Sequence, residues 1–163
     1  MKKQYFTLFL IVVLTMSCAG AKAANSRGIE MNNAEPAKSL AATENEWKLI
    51  EVYVNGKDTL FRRDSLPEET GNFFTVNFAG EIVSGTGAPN RYSAPYTFGE
   101  NQAVSIKLIR STMMAAFLEP EKLKEHEFFV YMQNAYEWKL ANEKLELLSK
   151  TQDGSSVRLV FSR

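Results

Sequence analysis

The chain has 163 residues with 19 basic and 19 acidic side chains, so its formal net charge is zero. That balance leaves no basic field for nucleic acid and no polybasic patch for anionic lipid, which excludes nucleic-acid binding proteins as a class. Cys18 is the single cysteine, so the chain cannot form an intramolecular disulfide and its fold must be held by core packing.

The N-terminus has the pattern of a bacterial secretion signal. Two lysines precede an apolar stretch at 5–16, which is too short to span a bilayer. Cys18 follows in the sequence L-T-M-S-C, which is similar to the site where lipoprotein signals place the thiol that becomes acylated. We therefore predict a lipoprotein signal at 1–18 with lipidation of Cys18. The alternatives are cleavage after the A-K-A at 21–23, which would discard Cys18, and a retained membrane helix.

Residues 19–46 are rich in Ala, Asn, Glu, Lys and Ser, and we predict that they form a flexible tether. A short Ala-rich helix at 35–42 is the alternative. Two or more acyl chains give stable anchoring, so the membrane is an expected partner through the N-terminal lipid. The protein is then expected in the bacterial cell envelope, at the outer membrane, with its domain in the periplasm or at the cell surface.

The folded domain is predicted to occupy residues 47–163 as one mainly β (α+β) unit. Its first strand, 47–54, alternates apolar and mixed positions and ends in Asn-Gly, a hairpin signal. The other predicted strands, which bring the total to eight, cover 73–80, 81–84, 92–98, 104–109, 136–140, 144–149 and 156–161.

The segment S-G-T-G-A-P-N-R-Y at 84–92, called the corner below, is the densest cluster of turn residues in the chain. Glycine allows backbone angles that side chains forbid, and proline fixes one φ. The corner is therefore a candidate binding site that presents Asn90, Arg91 and Tyr92, with amide, guanidinium and aromatic chemistry. In the architectural alternative, Asn90 holds the turn, Arg91 pairs with a surface acid and Tyr92 enters the core.

One α-helix is predicted after the strands that follow the corner. Met113 and Met114 are expected to fill gaps in the core before it, and Pro120 suits its first position. At 100° per residue, Phe128 and a methionine at 132 lie on one face together with Glu125.

Glu125 is a candidate site residue because a carboxylate that faces a core must find hydrogen-bond donors. Arg91 or the backbone amides of the corner are the natural donors, so we predict that Glu125 forms a structural clamp. His126 is expected to be a solvated helix residue. The acidic run that contains Glu125 is expected to be solvated as well, and neither a metal nor another cofactor is predicted.

Five ordered motifs carry a family resemblance. They are W-x-L at 47–49, the corner itself, S-T-M-M-A at 111–115, E-x-x-F at 125–128, and the L-E-L-L…D-G-S…L-V-F tail at 145–161. In these the chain resembles the META domain (HslJ-like, DUF306) family. The resemblance implies a compact antiparallel β-barrel-like domain of about eight strands with one packed α-helix, and a link to stress tolerance without an established catalytic site.

The chain departs from the family pattern at two positions. Many members read G-C-N at the corner and M-A-C before the helix, whereas this chain has Pro89 and Ala116 in place of the two cysteines. The joint loss fits two positions that are neighbours in space, and it removes the redox or metal role that the cysteines could offer.

These observations favour a non-catalytic binding or interaction module that meets an envelope protein or peptide partner. One alternative is a small hydrolytic enzyme that uses Glu125 or His126 with Ser111 or Thr112, although a serine or threonine nucleophile needs a base within hydrogen-bond reach. The other is a carrier of an apolar molecule inside the barrel, lined by Phe74, Phe78, Tyr92 and Phe98.

Overall fold

The computed structural model describes Leu40 and residues 46–163, except 57, 117 and 119. Ten strands and the helix α1 have bounds within these residues. The strands are β1 (Trp47–Val54), β2 (Asp58–Arg62), β3 (Thr75–Ala79), β4 (Ile82–Thr86), β5 (Arg91–Phe98), β6 (Val104–Ile106), β7 (Arg110–Ser111), β8 (Glu137–Ala141), β9 (Lys144–Lys150) and β10 (Ser156–Ser162), and α1 is Glu125–Gln133.

The strands form an antiparallel sheet that curls into a nearly closed barrel. Eight of them follow the order β6-β5-β4-β3-β1-β10-β9-β8, while β2 pairs with β1 and β7 pairs with β5. The two ends of the path meet at a seam, where Ala103 bridges Glu137 and the Val104 N–H donates to the Tyr136 carbonyl at 3.1 Å. The prediction of an eight-stranded antiparallel barrel-like fold with one packed helix is confirmed.

A β-bulge in β1 changes the predicted alternation of its side chains. The register against β10 shifts between Leu49 and Glu51, so the residue between them is not paired in the regular pattern. Trp47 and Leu49 are buried, as the alternation predicts, but the next buried position is Val52 rather than Glu51. The bulge turns the strand by one residue and keeps the glutamate out of the core.

The barrel interior is filled with apolar side chains. Phe74 contacts Phe128 of α1 with ring centroids 5.1 Å apart, and Phe78 contacts Phe98 at 5.5 Å. Phe128 and Met132 are buried, which confirms the predicted core face of the helix. The aromatic rings that the carrier alternative would place around a ligand therefore pack against neighbouring rings instead.

The helix begins five residues later than predicted. Pro120 lies outside α1, whose first residue is Glu125. Lys124 has extended backbone angles, and its N–H donates to the Glu127 carboxylate at 2.8 Å. This capping interaction satisfies a backbone donor at the helix start and fixes the first turn there.

Arg63 connects three segments of the main chain. Its guanidinium donates to the carbonyls of Leu49 at 2.5 Å, Gly71 at 3.1 Å and Phe73 at 2.5 Å. Burial lowers the pKa of this guanidinium, and the charge of Glu46 opposes that shift. A planar fork of five donors suits several carbonyls at once, so Arg63 holds β1 to the loop before β3.

Leu40 belongs to the packed part of the chain. It is helical and buried in the core cluster, although it falls within the predicted tether at 19–46. At this residue the chain packs on the core instead of running free. The signal at 1–18, Cys18 and the rest of the tether before Glu46 lie outside the described residues. Within the described part of the chain, no helix has the length and apolarity needed to cross a membrane.

Candidate functional site

The corner joins β4 to β5 through four residues, Gly87 to Asn90. The Gly87 N–H donates to the Asn90 carbonyl at 2.6 Å, and the peptide bond between Ala88 and Pro89 is cis. The Gly87 carbonyl accepts the N–H of Phe74 at 3.0 Å, which attaches the corner to the residue before β3. The turn is thus fixed both within itself and to the neighbouring strand.

The corner glycines are required by close approach rather than by a left-handed backbone. A Cβ on Gly85 would lie 2.1 Å from the Thr75 carbonyl oxygen, and a Cβ on Gly87 would lie 2.5 Å from Glu125 Oε1. Neither glycine has a positive φ. Their lack of a side chain lets β3 and the helix carboxylate reach the corner backbone.

Glu125 closes the corner with three hydrogen bonds. Its Oε1 accepts the backbone N–H groups of Ala88 at 2.5 Å and Asn90 at 2.7 Å, and its Oε2 accepts the Asn90 side-chain amide at 2.7 Å. The predicted clamp on backbone amides is confirmed. The carboxylate satisfies donors that would otherwise be unpaired where α1 meets the barrel.

Asn90 extends the clamp to the segment that follows β6. Its Oδ1 accepts the Thr112 hydroxyl at 2.8 Å and the Met114 N–H at 2.7 Å, while its Nδ2 approaches the Met114 carbonyl at 3.4 Å. This contact brings the corner to the T-M-M segment, as expected if positions 89 and 116 are neighbours. Sequence reasoning missed Thr112 and Met114 as partners of Asn90, and the only signal for them was the position of that motif before the helix.

Tyr92 is part of the core. It is 3% exposed, its hydroxyl donates to the Thr75 carbonyl at 2.8 Å, and its ring lies 5.3 Å from that of Phe129. Burial, with a smaller effect of the charge on Glu46, raises the pKa of the Tyr92 phenol well above its ordinary value. The architectural interpretation of Tyr92 is confirmed, so its ring is not a binding surface.

This burial predicts a pH dependence. Because the pKa of Tyr92 is higher in the folded state than the unfolded value of 10.0, the unfolded chain loses the proton first above that pH. Folding stability therefore falls as the pH rises above 10. We expect Tyr92→Phe to reduce this fall and to lose about 1 kcal/mol at pH 7 with the hydrogen bond. Urea midpoints at pH 7, 10 and 11 measure both effects, with exposed Tyr136→Phe as the control. An unchanged alkaline slope in Tyr92→Phe contradicts the prediction.

Arg91 points to solvent beside the corner. It lines a depression of about 420 Å³ together with Glu46, Asn72 and Thr86. Within the described residues, its guanidinium forms no ion pair, so the predicted pairing with a surface acid is not seen there, and Glu125 does not contact it. Of the predicted binding triplet, Asn90 and Tyr92 are buried and only Arg91 has an exposed side chain.

No direct hydrogen bond joins the residues of the hydrolase alternative to one another within the described part of the chain, although Glu125 and Thr112 both bond to Asn90. Thr112 is bonded to Asn90 and accepts the Arg91 N–H at 3.2 Å, and no hydrogen bond joins Ser111 or Thr112 to His126 among the described residues. His126 is exposed on α1, as predicted. Within the described residues, no group of three or more His, Cys, Asp or Glu side chains is placed so that it could hold a metal ion.

The segment between β6 and α1, residues 107–124, carries most of the exposed apolar side chains and is called the exposed connection below. It includes Leu108 at 74%, Met113 at 100%, Met114 at 60% and Leu118 at 53% exposure, four of the seven large apolar residues exposed in the described chain. The prediction that Met113 and Met114 fill the core is wrong. The predicted strand at 104–109 is also shorter, because β6 ends at residue 106 and β7 begins at 110.

The comparisons with known proteins agree on the fold. The sequence model of the META domain matches residues 38–162. An NMR structure of a protein from Burkholderia xenovorans is similar with a TM-score of 0.55 and 16% identity, over 92% of this chain and 99% of that chain. A crystal structure of a DUF4847 family protein from Bacteroides vulgatus has a TM-score of 0.51 and 14% identity, over 78% of this chain and 96% of that chain. No curated protein matches.

Proposed function

Because the chain belongs to the META domain family, we propose that it is a cell-envelope lipoprotein whose domain is a non-catalytic interaction module linked to envelope stress tolerance. The anchor in this proposal is Cys18, which sequence reasoning places at the lipidation position. The domain then works at the membrane or within reach of it, in the periplasm or at the cell surface.

The exposed connection carries the proposal. Apolar side chains that stand in water raise the free energy of the isolated domain, and clustered ones mark interaction sites in soluble proteins. Here four lie on one segment, and that segment is fixed to the corner through Asn90 rather than left as a free loop. An exposed apolar surface that hydrogen bonds fix in place supports binding of another molecule.

The polar residues of the corner support an architectural role beneath that surface. Glu125 accepts three hydrogen bonds, and both ends of the Asn90 amide are bonded. A general base needs a lone pair that can reach a proton of the substrate or nucleophile, and the Glu125 oxygens face the corner instead. This arrangement favours an interaction module over a hydrolase.

Photo-crosslinking in intact cells tests the proposal. A photoreactive residue at Met113 has its side chain in solvent, whereas the same group at buried Tyr92 would report only the core. The control position is Thr59, which is exposed on β2. We expect a discrete, repeatable adduct from position 113 and not from 59. Equal adduct patterns from both positions, or no adduct from 113, contradict an interaction surface at the exposed connection.

The Cys18→Ala variant is the second arm of this test. Without an acylated thiol, the chain is expected to leave the membrane fraction or to fail in maturation, and its adduct from position 113 is expected to weaken. Unchanged membrane fractionation and unchanged electrophoretic mobility would rule out the lipoprotein part of the proposal. The fold and the crosslinking result would stand independently of that outcome.

A further inference from the structure

We propose that the exposed connection contacts the surface of the membrane that holds the lipid anchor. Met113, Met114 and Leu118 enter the headgroup region, and Arg91 and Arg110 meet lipid phosphates. This inference rests on the proposed function, because it identifies the partner of the same surface as an anionic phospholipid bilayer.

The apolar side chains of the exposed connection protrude from the domain. Met113 is fully exposed, and Met114 and Leu118 are more than half exposed, so these side chains stand out from the domain. None of them lines the four depressions beside Trp47, Arg91, His126 and Ile82. A peptide or small ligand binds in concave sites, whereas protruding apolar groups suit the boundary between headgroups and acyl chains.

The exposed connection has more basic than acidic residues. The exposed connection carries four basic and two acidic residues, although the whole chain is balanced at 19 of each. Arg110 pairs with Ser93 on β5, two residues from Arg91, so the two arginines are diagonal neighbours on one face of the sheet. Neither forms an ion pair within the described residues. Two arginines are not a polybasic patch, but cations beside protruding apolar groups add to the attraction of an anionic lipid surface.

The backbone of the exposed connection is hydrogen-bonded at Met114. Polar backbone groups resist transfer to an apolar medium unless they are hydrogen-bonded. The backbone N–H and carbonyl of Met114 both bond to the Asn90 side chain. The N–H donates to Asn90 Oδ1 at 2.7 Å, and the carbonyl lies 3.4 Å from Asn90 Nδ2. The Met114 side chain can therefore enter lipid without exposing an unpaired amide.

The chain between Cys18 and the domain is short enough for the domain to reach the bilayer. Glu46 lines the same depression as Arg91, and Leu40 lies six residues earlier, so it is within about 20 Å of Glu46. The 22 residues from Cys18 to Leu40 have a root-mean-square span of about 25 Å when flexible. A lipid at Cys18 would hold the domain within reach of the bilayer, and weak contacts suffice once binding is intramolecular.

The test uses the full acylated chain in vesicles of phosphatidylethanolamine and phosphatidylglycerol. An environment-sensitive dye is attached through Met113→Cys or, as the control, Thr59→Cys, and acylated Cys18 does not react. Thr59 pairs with Tyr53, which lies six positions along β1 from Trp47. Thr59 is therefore about 20 Å from the Trp47 end of that strand. We expect acrylamide quenching at 113 to be at least about threefold weaker than at 59, with a blue-shifted emission. Changing both Arg91 and Arg110 to Gln is expected to remove at least half of this protection.

Equal quenching at the two positions overturns the inference. Protection that appears only in vesicles from native membranes, which contain envelope proteins, also overturns it and assigns the surface to a protein partner, leaving the proposed function in place. Flotation of the chain with the vesicles is scored separately. A chain that does not float contradicts the lipoprotein proposal itself, so the two failures are distinguishable.

Discussion

Gly85→Ala is expected to destabilise the domain by more than about 3 kcal/mol, which is a large part of the stability of a typical domain. The added Cβ would lie 2.1 Å from the Thr75 carbonyl oxygen and 2.8 Å from its carbon, distances that real Cβ atoms essentially never show. Both neighbours are main chain, so no rotamer change relieves the contact. The same carbonyl accepts the Tyr92 hydroxyl, and a shift of β3 away from β4 would break that bond too.

Urea unfolding followed by circular dichroism measures this effect. Gly71→Ala is the matched control, because Gly71 is exposed, has right-handed helical backbone angles, and would place its Cβ 3.3 Å from the Glu68 carbonyl. We expect the control to change stability by less than about 1 kcal/mol. A Gly85→Ala midpoint close to that of the wild type would show that β3 and β4 separate easily, against the packing described above.

Glu125→Leu is expected to cost at least about 3 kcal/mol of folding free energy, because it leaves three donors at the corner without an acceptor. These are the backbone N–H groups of Ala88 and Asn90 and the Asn90 side-chain amide. Glu125→Gln is expected to cost about 2 kcal/mol, since one oxygen remains for the backbone donors while its own NH₂ opposes that of Asn90.

The control for this series is Glu121→Leu, an identical change at an exposed glutamate just before α1. Its unfolding midpoint is expected to stay within about 0.5 kcal/mol of the wild type. If Glu125→Leu unfolds at the wild-type midpoint, the clamp contributes nothing to stability. If Glu125→Gln loses as much as the leucine variant, the charge of the carboxylate matters more than the number of its acceptors.

Several features of the corner follow from local sequence. Phe128 and Met132 on one helical face predict burial of that face, and the same periodicity places Glu125 against the corner. The burial of Tyr92 agrees with the architectural alternative for the corner. These predictions succeed because helix and strand periodicities are local and fix which side chains share a face.

Other features depend on contacts between distant residues, which periodicity does not encode. Arg63 bonds to carbonyls up to 14 positions away, and its sequence neighbourhood gives no sign of that role. Met113 and Met114 are apolar, so composition predicts burial, yet the Asn90 contact holds their backbone on the outer side of the corner. The bulge in β1 likewise depends on the register with β10, which the alternation within β1 does not encode.

The seam between β6 and β8 has a consequence for aggregation. It is joined by one bridge and one backbone hydrogen bond, with the Phe98 and Trp138 rings 5.2 Å apart beside it. If the seam opens, two strand edges meet water, and exposed edges recruit strands from other chains. β6 is only three residues long, and the β8 edge carries the charged residues Glu137 and Lys139, so a short edge on one side and charges on the other disfavour pairing with a foreign strand.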